Sequence, residues 1–129
     1  PVDTMAAFMS PLYFEETIRL VGSYERIDLL ITHLGLDVVL ARWPEQVDRM
    51  VEALLRAGKA CNKPMAIVTR TSGAPELAKA VFDVEQRCLE AGFPVYPPIA
   101  RAAQAINKLI TYYETRQRIT DDTKQVNGG

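Results

Sequence analysis

Two stretches of the chain, IDLLIT at residues 27–32 and PMAIVT at residues 64–69, are nearly unbroken apolar runs of strand length. A strand with one wet face alternates apolar and polar residues. A run without alternation suits a strand covered on both faces, as in a parallel sheet. The shorter PVY at 94–96 reads as a third strand, and VDTMAAF at 2–8 as a further strand or an extended lead-in.

Parallel strands need long crossovers, and the intervening segments have the length and period of helices. Over 10–24, Ser10 can cap a helix and Pro11 fits its first position, where no backbone N–H is needed. Leu12, Phe14 or Glu15, Ile18, and Val21 or Leu20 then mark one apolar side. Over 44–57, Val47, Met50, Val51, Leu54 and Leu55 follow the spacing i, i+3, i+4, i+7, i+8, and Gly58 is placed to stop the helix. Over 75–91 the face is Leu77, Val81, Val84 and Leu89, with Gly92 as the stop. Over 99–116 it is Ala102, Ala103, Ile106, Leu109, Ile110 and Tyr113. Strand and helix alternate, so the expected fold is α/β: a three-layer α/β/α flavodoxin-like domain with a small parallel sheet over residues 1–116. Residues 117–129, polar and without periodicity, read as a tail or linker.

The totals narrow the function. The chain has 129 residues, enough for one core, and a formal net charge of −1. Nucleic-acid and anionic-membrane binders usually carry a basic excess, so neither partner is expected. No apolar run approaches the ~20 residues of a membrane span, and the first residues lack the pattern of a signal peptide. A soluble, cytoplasmic protein is expected. Cys61 and Cys88 have no CxxC spacing and no nearby histidine, which excludes a zinc or dithiol motif and leaves two idle thiols. The methionines read as core packing, Trp43 as a lid over a core edge, and Tyr112–Tyr113 as split between core and solvent.

In open parallel sheets, ligands bind beyond the carboxyl ends of the strands. Two loops fall there: THLGLD at 32–37 and TRTSGAPE at 69–76. In the second, Thr71, Ser72 and Gly73 are small and polar, and Pro75 opens the next helix. Its first N–H groups, with Arg70 alongside, can cradle a phosphate. The same residues also suit a plain helix start. The loop is neither a Walker motif nor a dinucleotide fingerprint. His33 is the only histidine. A lone histidine at a strand end is more often satisfied by its neighbours than catalytic, and Asp28, Asp37 and Asp83 are available partners. Ser72 lies outside any GxSxG elbow, which removes a hydrolase triad.

Several motifs in order carry a family likeness. Lys63–Pro64 precedes the apolar strand of KPMAIVTRTSGAPE, Gly92-Phe93-Pro94-Val95-Tyr96 opens the next, and Ala100-Arg101-Ala102-Ala103 begins an alanine-rich helix. Pro1-Val2-Asp3 is similar to an N-P-[VIL]-D opening without its asparagine. Over residues 1–115 the chain resembles the flavodoxin-like ligase domain of the NDP-forming acyl-CoA synthetases, relatives of succinyl-CoA synthetase. The resemblance implies acyl-CoA thioester chemistry coupled to nucleotide phosphorylation through an acyl phosphate and a phosphohistidine.

It also implies a CoA-binding domain and an ATP-grasp domain, in the same chain or a partner subunit, which hold CoA, ATP or ADP, and magnesium. In that family one flavodoxin-like domain carries the phosphohistidine in a G-H-A-G loop, and a second aims a helix N-terminus at the same phosphate. Here His33 stands in T-H-L-G-L and only Gly35 remains of a glycine pair, so the likeness is to the second, helper domain. The implied phosphate-facing residues are Gly35, Arg70, Thr71, Ser72 and Gly73. The expected role is one domain of a larger ligase, inactive alone and binding no cofactor by itself. The alternative is a non-catalytic flavodoxin-like docking module, and self-association into a homodimer stays open.

Overall fold

The structure, a computed structural model, describes residue 2, residues 10–70 and residues 73–127, with side chains described as far as residue 120. The early segment read as a strand or lead-in, with Met5 and Met9, lies outside the described residues, as do Thr71 and Ser72. Helix α1 (Pro11–Gly22) leads to strand β1 (Leu30–Leu34) and helix α2 (Leu36–Arg42). A 3-10 turn (Pro44–Gln46) then enters helix α3 (Val47–Ala60), which is followed by strand β2 (Met65–Thr69) and helix α4 (Pro75–Glu90). Strand β3 (Val95–Tyr96) and helix α5 (Ile99–Asn127) complete the chain.

The three strands are parallel and stand in the order β1-β2-β3. Register pairs Thr32 with Ile67 and His33 with Val68, and Ile67 with Val95 and Val68 with Tyr96. Because side chains alternate along a strand, Met65, Ile67 and Thr69 share one face of β2 and Ala66 and Val68 the other. The first face belongs to the main core. A Cβ at Gly58 of α3 would lie 2.3 Å from Met65 Cε, and Thr69 bonds to Glu85 of α4, so α3 and α4 cover the same side. Strands added in sequence with crossovers of one hand require that placement.

On the other face Ala66 and Val68 are fully closed off, and α5 meets β2 and β3 there through its buried Ala102. The domain is therefore α/β/α over β2 and β3, in a flavodoxin-like arrangement. Over β1 that second face is open: Ile31 and His33 are exposed. The uniform apolar run therefore describes β2, buried at all five positions, better than β1, whose burial alternates.

The core is built from Phe14 and Ile18 of α1, Leu30 and Leu34 of β1, Leu36 and Val39 of α2, and Val47, Met50, Val51 and Leu54 of α3. Met65 and Ile67 of β2 and Val81, Val84 and Cys88 of α4 join it. Helix α1 lies on α3, where Arg56 Nη2 reaches Glu15 Oε2 at 2.9 Å.

Four expectations need correction. Strand β1 starts and ends later than the apolar run, so His33 lies within it and not beyond its end. The segment read as the loop THLGLD is the end of β1 and the start of α2, whose Leu36 and Val39 are buried. Gly58 does not stop α3, which runs on to Ala60. A side chain at position 58 would collide with Met65 and Phe93, so this glycine serves close approach of helix and sheet. Gly92, in contrast, has φ +90° and does end α4, as expected.

The fourth correction concerns the last helix. Leu109, Ile110, Tyr112 and Tyr113 are all at least half exposed, because only the first turns of α5 meet the sheet. The two tyrosine rings stack edge to face with centroids 5.4 Å apart instead of dividing between core and solvent. The polar stretch from 117 continues the helix to Asn127. Among the described residues no helix is long and apolar enough to cross a membrane.

Candidate functional site

The carboxyl ends of β1 and β2 lie side by side, and the parallel ladder extends one step past β2 where the Arg70 N–H donates to the Leu34 carbonyl at 3.0 Å. Gly35 follows Leu34 directly and precedes the first turn of α2, where its carbonyl accepts from the N–H groups of Val38 and Val39. Asp37 sits in that first turn, a position at which a carboxylate is favoured by the helix dipole. Arg70 Nη2 donates to Asp37 Oδ2 at 3.3 Å. Arg70 is mostly exposed while Asp37 is mostly covered, so this pair contributes less than a fully enclosed one. The other oxygen, Asp37 Oδ1, is closed off from solvent and has no hydrogen-bond partner among the described residues.

Gly73 adopts φ +76°, a conformation that a side chain would strain, and leads through Ala74 to Pro75 at the start of α4. Among the described residues no side chain caps this helix. Deeper in the edge, the fully buried Thr69 donates its hydroxyl to Glu85 Oε1 at 2.5 Å, tying the end of β2 to the third turn of α4. A short bond of this kind is expected of a hydroxyl facing a charged acceptor. Between α2 and α4 opens a cleft of about 350 Å³, walled by Asp37, Gly73, Leu77, Phe82, Glu85 and Pro97 among others. Its floor along α4 is apolar, and two carboxylates flank it.

Of the residues singled out in the sequence, Gly35, Arg70 and Gly73 fall on this one edge. Arg70 meets Asp37 rather than standing free. Thr71 and Ser72 lie outside the described residues. His33 points away from the edge on the open face of β1, and it makes no hydrogen bond or ion pair among the described residues. Asp37, considered only as a partner for His33, turns out to serve Arg70. Glu85 and Thr69 were missed. Glu85 falls on the inward stripe of Val81, Val84 and Cys88, and a carboxylate on such a stripe is the signal that could have found it. Cys88 on that stripe is fully buried, and burial pushes its thiol up to about 11, opposed weakly by the Arg87 charge. The thiol is accordingly protonated and inert at neutral pH.

No family model, no curated protein and no solved structure matches the chain.

Proposed function

We propose that this chain is the helper flavodoxin-like domain of an NDP-forming acyl-CoA synthetase, an acid–thiol ligase of the cytoplasm. In this reading its loops face the phosphoryl group while partner domains hold CoA, ATP or ADP, and magnesium. The observation that carries it is the juxtaposition of Gly35, Arg70 and Gly73 at the carboxyl edge of β1 and β2, in a chain with the ordered motifs KPMAIVTRTSGAPE and GFPVY. An open parallel sheet presents ligand-binding loops there. Gly73 precedes a helix start that no described side chain caps, and Arg70 needs only to leave Asp37 to donate to a phosphate. The chain has no G-H-A-G loop, so the phosphohistidine belongs to another domain and His33 has no part in the transfer.

The test is a titration with inorganic phosphate followed by amide chemical shifts, in the wild type and in Arg70→Ala. Saturable shifts at Gly35, Arg70 and Gly73, weakened about tenfold in the variant, are expected from loss of one charge-assisted hydrogen bond. Absence of any saturable shift at this edge would sink the reading. The Arg70–Asp37 pair favours a second one, in which the edge is already neutralised and the domain only docks other domains. A flat phosphate titration is its expected result.

A further inference from the structure

The cleft between α2 and α4 is not accounted for by a phosphate-facing edge. We infer that it is a binding site for a small aliphatic ammonium ion, with the hydrocarbon chain along α4 and the charged head between Asp37 and Glu85. The inference stands on the cleft alone and does not depend on the phosphate reading.

Its size, about 350 Å³, falls at the small end of ligand pockets. Its composition is asymmetric. Leu77, Ala78, Val81, Phe82 and Pro97 offer carbon, and Phe82 is 57% exposed, so its ring is accessible to a hydrocarbon chain laid along α4. The polar groups are carboxylates, which only accept hydrogen bonds. Asp37 Oδ1 is closed off and has no donor among the described residues, and a buried acceptor left unpaired is costly. Glu85 spends Oε1 on the Thr69 hydroxyl and has no second hydrogen bond among the described residues.

Among the described residues Arg70 is the cation paired at this edge, and it bonds to Asp37 Oδ2, while Glu85 has no ion-pair partner there. What the cleft lacks is therefore hydrogen-bond donors and positive charge beside an apolar wall. An ammonium group brings three donors and one charge, and an attached hydrocarbon of four to six carbons lies against the wall. A carboxylic acid of the same length would bring a like charge to Asp37 and Glu85 and is repelled.

The probe is n-hexylammonium chloride, titrated against the whole chain by amide chemical shifts, with sodium hexanoate as its opposite-charge twin. Saturable shifts centred on Gly73, Ala74, Leu77, Ala78 and Phe82 are expected for the amine. Binding of hexanoate should be at least about tenfold weaker, since a favourable charged pair becomes a repulsive one. In Glu85→Gln, where the amide oxygen still accepts from Thr69, the amine should lose about tenfold in affinity. Phe82→Ala, an exposed truncation that leaves the core untouched, should weaken it a few-fold. No saturable shift on α4, or equal binding of amine and acid, overturns the assignment. Should Glu85→Gln lose the native amide spectrum, the Phe82→Ala variant and the amine–acid comparison decide it by themselves.

Discussion

At the scale of single residues, the buried and crowded Gly58 and the positive-φ Gly73 and Gly92 do different work, although a sequence writes them alike. Gly58 is the sharper case. An added methyl would lie 2.3 Å from Met65 Cε and 2.6 Å from Phe93 Cζ, in the seam between α3 and the β2–β3 side of the core. Alanine is the better helix former by roughly 1 kcal/mol, but overpacking a core costs about 1–3 kcal/mol. Gly58→Ala should therefore lower stability, by about 1 kcal/mol net, read as a lower urea midpoint with an unchanged slope. A raised midpoint would mean that Phe93 swings aside and that propensity, not close approach, governs this position. The spacing alone predicts a helix stop at Gly58, because Gly at the end of a periodic stretch usually is one. The competing role depends on which residues face it across the fold, and that is not written in a local window.

At the scale of elements, what was legible is what periodicity encodes. All three strands, four of the helices and the inward face of α3 follow from apolar spacing, with Val47, Met50, Val51 and Leu54 all buried, whereas on α4 Val81 and Val84 are buried but Leu89, expected on the same face, is exposed. What was illegible depends on where an element stops meeting its neighbours. Helix α2 is short and shares its apolar residues with the end of β1, so no period develops over its seven residues. Helix α5 carries the expected apolar stripe through Ile106, Leu109, Ile110 and Tyr113, yet the sheet beneath it ends after its first turns. Spacing gives the face a helix would bury, not whether anything lies opposite. The candidate edge was found in part for the same reason: strand ends and glycines are local signals, whereas Asp37 meeting Arg70 is a contact across 33 positions. It follows that truncation after Arg116 should leave the unfolding free energy within about 0.5 kcal/mol of the full chain, because residues 117–120 are exposed. A larger loss in chemical denaturation would show that the distal half of α5 contributes to the fold.

At the scale of the whole molecule, stability rests on one main core beside a thinner second layer, and one titrating group inside that core links it to pH. Cys88 is neutral when folded, and burial raises its thiol to about 11. In the unfolded chain the thiol ionises in the ordinary range, so above that range the unfolded state has released a proton that the folded state keeps. Stability is therefore full below the ordinary thiol range and falls as pH rises from about 9 towards 11. Urea midpoints measured across pH 8–11 should drop more steeply for the wild type than for Cys88→Ala; parallel curves would remove the thiol as the cause. The sheet order has a consequence of another kind. Among the described residues each strand after β1 pairs with the one made just before it, and none is inserted between two that are already paired. During synthesis β1, α3 and β2 can close on one another while β3 is still being made, since closing a loop of this length costs little more than closing a shorter one. The order in which the ribosome releases the chain is thus also an order in which the sheet can be laid down, one strand at a time from β1 outward.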